Sequence, residues 1–168
     1  WAIGSILLKP LAALRDEDFS ETFKVNVSAP AMAIKAAQPA LKEAKGSVLL
    51  FSSVAARSGF TSHAAIGAAK AGVEGLVRSL AAEFAPDIRV NAIAPSLSDT
   101  KMAAPLLASP AMSKGIAQMH PLGRLGTPRD ISQMACLLLD NGAAGWITGS
   151  VMDIDGGRGN LATTGRAR

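Results

Sequence analysis

Three short and almost wholly apolar runs punctuate the chain, separated by longer stretches in which apolar residues return every three or four positions. The run 47–53 (SVLLFSS), introduced by Gly46, has no polar alternation, as expected of a strand covered on both faces in a parallel sheet. Ile88, Val90, Ala92, Ile93 and Ala94 form a second run closed by Pro95, and 151–154 a third closed by Gly156 and Gly157. Ahead of the first run, Asp16 is placed to cap a helix through Glu17, Phe19, Phe23 and Val27 that continues to Leu41 with a bend at Pro30. Between the first two runs, Lys70, Val73, Leu76, Val77 and Leu80 predict an amphipathic helix over 64–84. Thr127 and Pro128 start another, with Asp130 in its first turn and Ile131, Met134, Ala135 and Leu138 as its apolar stripe.

The resulting order is helix, strand, helix, strand, helix, strand, which right-handed crossovers turn into a parallel α/β sheet flanked by helices. Residues 96–121, rich in Met, Ala, Ser and Pro, have weak periodicity and follow the carboxyl end of the second strand. Ligands of open α/β sheets bind at that edge, so this segment is placed as a lid. Residues 1–157 read as one truncated domain and 158–168 as a basic, flexible tail.

Composition narrows the function classes. Of the 168 residues, 49% are apolar and 18% charged, enough for one core and too apolar for a disordered chain, and no run approaches the length of a membrane span. The net charge of +4 comes partly from Arg158, Arg166 and Arg168 and forms no basic block with interleaved aromatics, so a nucleic-acid partner is not expected. The lone Cys136, inside an apolar run, predicts a buried thiol and a cytoplasmic, reducing setting, and two histidines with one cysteine have no metal-ligand spacing. The opening Trp1 has no signal-peptide pattern after it and reads as a start inside a longer parent. Tyrosine is absent altogether.

From Leu8 to Gly157 several motifs in order resemble the short-chain dehydrogenase/reductase family. Phe23-Lys-Val-Asn-Val looks like the helix carrying its catalytic Asn, here Asn26, and Ser52-Ser53-Val-Ala-Ala like the strand end carrying its catalytic Ser, here Ser53. Ser53 stands thirteen residues before Ile66, and Lys70 four beyond it, which is the frame of the family's Tyr-x-x-x-Lys motif with Ile66 in the tyrosine's place. The segment Ile88-Arg-Val-Asn-Ala-Ile-Ala-Pro, the block 121–128 (PLGRLGTP), and Thr148-Gly149 followed by Asp155-Gly-Gly complete the likeness.

The resemblance implies the C-terminal half of a doubly wound Rossmann-like fold and an NAD- or NADP-dependent oxidoreductase acting on a small carbonyl or alcohol. It implies Ser53, Lys70 and Asn26 as catalytic residues, with Lys70, Pro95, Ser98 and Thr100 toward the cofactor. In such a site the lysine lowers the phenol's pKa so that it exchanges a proton with the substrate oxygen, and Ile66 has neither donor nor ionisable group. The family's Pro-Gly reads Pro95-Ser96, and an apolar position two further on reads Ser98. Its opening strand, Gly-rich phosphate turn and ribose selector are expected ahead of Trp1, and Gly156-Gly157 does not replace that turn because no helix follows.

Several readings stay open. His63, three residues before Ile66, could share a helix face with Ile66 and Lys70 and stand in for the acid, or be a surface histidine at a helix start. Ser53 and His63, with Asp99 as a third member, could be read as a hydrolase triad, although no Gly-x-Ser-x-Gly elbow is present. His120 reads as part of the turn into the last helix. The leading expectation is an atypical or impaired oxidoreductase. Against it stands a non-catalytic module that self-associates as a dimer or larger homo-oligomer, because the first strand has lost a neighbour.

Overall fold

The computed structural model describes residues 2–163. The helical elements are α1 (Asp16–Phe23), α2 (Ala29–Glu43), α3 (Ala64–Phe84), α4 (Pro110–Gln118), α5 (Pro128–Leu139) and α6 (Asn141–Ala144), and the strands are β1 (Ser47–Phe51), β2 (Arg89–Pro95) and β3 (Val151–Ile154). The strands form one parallel sheet in the order β1-β2-β3, with Val48 opposite Val90 and Ile93 opposite Met152. Each strand is joined to the next through helix, as the periodicity predicts.

Alternation along the strands divides the core between two faces. Val48, Leu50, Val90 and Ala92 pack with Ile34 of α2 and with Val73, Val77 and Phe84 of α3. Leu49 and Ile93 face the other way, onto Leu138, Ile131, Met134 and Ala135 of α5. Full burial of a side chain such as Leu50, 1% exposed, is worth about 2–3 kcal/mol. Cys136 corrects an expectation. It is exposed, because the stripe Ile131, Met134, Ala135 and Leu138 takes the inner face of α5 and leaves residue 136 on the opposite side.

The first helical run departs from α geometry one turn earlier than the bend expected at Pro30. Residues Lys24–Ser28 form a π-helical turn joining α1 to α2, and Asn26 lies in its middle, buried. The segment 96–121 is more regular than its composition suggests, since Ser109 caps α4 by accepting from the Met112 amide at 3.2 Å. Thr127 and Asp130 make a capping box at the start of α5. Asp130 is held well below the usual carboxylate range by the Arg124 guanidinium and by Thr127.

The approach to β3 is fixed by a buried amide. Asn91 is fully buried, donates to the Ile147 carbonyl (2.8 Å) and accepts from the Ser150 amide (3.1 Å). Thr148 accepts from the Val90 amide at 3.0 Å, so the Thr148-Gly149 pair is pinned beside β2. At the other end of β3, Gly157 has φ 85° and lies against the Pro121 ring, a conformation and clearance that favour glycine. The carboxyl ends of all three strands therefore share one edge of the sheet.

Candidate active site

Ser53 follows β1 directly. It starts a short turn over Val54–Ala56, and its Oγ accepts from the Ala55 amide at 3.2 Å. Lys70, on α3, donates from Nζ to the Phe51 carbonyl at 2.8 Å. Burial pushes this ammonium down to about 8. Ser53 and Lys70 are thus both tied to the carboxyl end of β1. Ile66, one helical turn before Lys70, is 5% exposed and belongs to the interior.

Asn26 joins this neighbourhood through the π-helical turn. Its Nδ2 donates to the Thr22 carbonyl (2.9 Å) and to Ser5 Oγ (3.2 Å), while Oδ1 is buried without a partner among the described residues. A Cβ added at Gly4 would lie 3.1 Å from Asn26 Oδ1 and 3.7 Å from Lys70 Nζ. An acceptor and a cationic donor therefore converge on one point beside a residue with no side chain.

The other expected site residues are engaged locally. His63 is the N-cap of α3. Its Nδ1 donates to the Thr61 carbonyl at 2.7 Å, and its ring stacks at a tilt on Phe60, which also carries the Arg158 guanidinium at 5.0 Å. Pro95 ends β2 opposite Ile154. Ser98 is buried and donates to the Ser96 carbonyl at 3.1 Å, and Thr100 Oγ1 accepts from the Ala103 amide at 3.3 Å. Neither Ser53 nor Asp99 has a hydrogen bond to His63, so the Ser53/His63/Asp99 triad is not assembled.

Two polar groupings were not anticipated. Glu74, 5% exposed on α3, accepts from Ser52 Oγ (3.0 Å) and from Arg57 Nε (2.9 Å), and Arg57 also donates to both oxygens of Asp153 on β3 at 3.1 Å. Glu74 falls four residues after Lys70 and next to Val73 on the inner stripe of α3, and a carboxylate there is the signal a sequence reading can use. The second grouping is Ser96 Oγ at 2.8 Å from His120 Nε2. Its signal is a serine replacing a glycine.

A parallel sheet ending in a serine, with a half-buried lysine and a buried asparagine beside it, defines one half of a Rossmann-like α/β protein. Residues 2–158 match the family described as enoyl-(acyl carrier protein) reductase, and the chain belongs to the short-chain dehydrogenase/reductase family. It is 33% identical over 157 residues to a tropinone reductase homolog of Arabidopsis thaliana, covering 92% of this chain and 60% of the relative. It is 39% identical over 147 residues to the inactive 2-(S)-hydroxypropyl-CoM dehydrogenase 2 of Xanthobacter autotrophicus (strain ATCC BAA-1158 / Py2), covering 84% and 64%. Among solved structures, the ligand-free aldohexose dehydrogenase of Thermoplasma acidophilum superposes with a TM-score of 0.90 at 26% identity, covering 99% of this chain and 69% of that one. ElxO with NADP bound gives 0.85 at 29% identity, covering 93% and 64%. The chain thus spans about 60% of the length of the curated relatives first matched. No helix among the described residues is long and apolar enough to cross a membrane.

Proposed function

We propose that this chain is the substrate half of an NAD(P)-dependent carbonyl/alcohol oxidoreductase whose tyrosine-dependent proton transfer has been lost at Ile66, leaving an impaired or silent site. One observation carries this reading: buried Ile66 occupies the helix face one turn before Lys70, where a phenol would have to stand. Lys70 then has no phenol to activate, and its ammonium is taken up by the Phe51 carbonyl.

The residues present fit the nicotinamide end of such a cofactor. The unpartnered Asn26 Oδ1 accepts from a hydroxyl or a water, Lys70 Nζ donates to one, and Gly4 leaves the room between them. Pro95, Ser98 and Thr100 belong to the same group by resemblance. A bound nicotinamide nucleotide would supply the hydride, with Ser53 and Lys70 orienting the substrate and ribose oxygens; His63, held at the start of α3 on the Thr61 carbonyl, is the candidate substitute proton donor, against the plainer reading of a surface histidine.

Titrating NADPH and NADH while following nucleotide fluorescence tests the pocket, and absence of binding by either sinks the reading. Ile66→Tyr is expected to raise ketone turnover from baseline, and Ile66→Tyr with Lys70→Met to return it to baseline. Unchanged residual turnover in His63→Ala removes His63 from the site.

A second reading, self-association without catalysis, is favoured by one feature. An apolar cavity of about 390 Å3 opens along the outer side of β1 between α2 and α5, lined by Ile34, Leu41, Val48, Leu49, Phe51 and Leu139. A sheet edge flanked this way favours pairing with another polypeptide. Sedimentation at micromolar concentration separates the readings, and a monodisperse monomer counts against this one.

A further inference from the structure

The hydroxyl of Ser96, at the carboxyl end of β2, is aimed at a histidine. Ser96 and His120 are 9% and 3% exposed, and Oγ lies 2.8 Å from Nε2. His120 Nδ1 lies 2.8 Å from the Ile116 carbonyl oxygen. A carbonyl only accepts, so the ring proton is on Nδ1 and the Nε2 lone pair faces the serine. This is the tautomer a general base needs to take a serine proton, with a backbone carbonyl in the orienting role.

Two further observations distinguish this pair from a clasp buried in packing. Both residues line a cavity of about 340 Å3, with Leu97, Leu122, Leu125 and Ile154 as its apolar wall. The amide of Leu97, next after Ser96, makes no hydrogen bond among the described residues. The amide following a nucleophile at a strand end is a donor position for a developing oxyanion.

The charged side chains of the cavity wall already have partners. Arg124 is paired with Asp130 at 2.7 and 2.8 Å, Asp153 with Arg57 at 3.1 Å, and Asp155 accepts from the Gly157 and Gly159 amides at 2.8 and 2.7 Å. The site therefore suits an uncharged ligand.

We propose that Ser96 and His120 form a nucleophile and base that accept the acyl group of a small uncharged ester. Ser96 Oγ bonds to the ester carbonyl carbon as its proton passes to His120 Nε2. The carbon–alkoxide bond breaks, and the leaving alcohol takes that proton. Water then attacks the acyl-serine, returning the proton through His120 and releasing the acid. No electron transfer is involved, so the site does not depend on nucleotide binding.

The test is acylation of the folded protein by p-nitrophenyl acetate, followed by peptide mapping, with diisopropyl fluorophosphate as a second probe. The expected result is modification of Ser96 at least about 100-fold faster than of the exposed Ser132, abolished in Ser96→Ala and slowed about 100-fold in His120→Gln. The wild-type selectivity stands as a test even where a variant fails to fold. Modification confined to lysines, equal labelling of Ser96 and Ser132, or an unchanged rate in folded His120→Gln overturns the proposal.

Discussion

Replacing Glu74 with alanine tests how the buried polar network ties α3 to the segment after β1 and to β3. The Glu74 side chain is 7% exposed and its carboxylate takes hydrogen bonds from Ser52 and Arg57 at 3.0 and 2.9 Å. Breaking a fully buried ion pair from one side costs about 3–5 kcal/mol, because the remaining charge is stranded. Here the remaining groups keep partners: Arg57 is 42% exposed and stays on Asp153 at 3.1 Å, and Ser52 still reaches the Lys70 carbonyl at 3.3 Å. Solvent screening of the Arg57 half lowers the cost further, to about 2–3 kcal/mol for Glu74→Ala. For a chain of this size that is a fall in Tm of about 4–12 °C. Trp146 is fully exposed, so urea unfolding is best followed by far-UV circular dichroism. A double-mutant cycle with Arg57→Ala is expected to give a coupling of about 1–2 kcal/mol. A loss below about 0.5 kcal/mol, or strict additivity with Arg57→Ala, refutes the reasoning.

Two other outcomes follow from the same structure. Burial pushes the Lys70 ammonium from its ordinary 10.5 down to about 8 in the folded chain, so between those limits the unfolded chain holds more protons and stability rises with pH, by up to about 3 kcal/mol. No phenol titrates in that window because the chain has no tyrosine, and Lys70→Met is expected to flatten the rise in a urea series between pH 8 and 10.5. Leu50→Ala, at a site 1% exposed between α2 and α3, is expected to cost about 2–5 kcal/mol in the same unfolding assay, and a loss under about 1 kcal/mol speaks against a packed sheet face there.

Periodicity revealed the strands and helices because burial on two faces writes itself into spacing. SVLLF needs no tertiary information to be recognised as a doubly covered strand, and Thr127-Pro128 announces a helix start by local chemistry alone. The resemblance of Ser53, Ile66 and Lys70 to the family's frame could be read because those positions lie at fixed distances along the chain, and that of Asn26 because it sits in a local motif. What was not legible depends on pairs far apart in sequence. Ser96 meets His120 across 24 residues, and Arg57 meets Asp153 across 96. Gly4 approaches Asn26 and Lys70 through a fold that no window of residues contains. Cys136 was misplaced because an apolar run does not say which side of a helix each member takes, and a position two residues before Leu138 is turned by about 200° from it.

The π-helical turn at Lys24–Ser28 has a further consequence of phase. Thr22, Asn26, Pro30 and Ile34 are all buried and spaced by four. On a uniform α-helix each step of four overshoots a full rotation by about 40°, so the last would lie about 120° around from the first. The wider turn absorbs one residue and winds back about 100° of that drift. It works as a vernier, letting one continuous rod present Asn26 at the end of the sheet and Ile34 over its middle along a single line. Deleting one residue from the turn would leave the rod just as helical but rotate everything after it by more than a quarter of a revolution, swinging Pro30 and Ile34 off the strands.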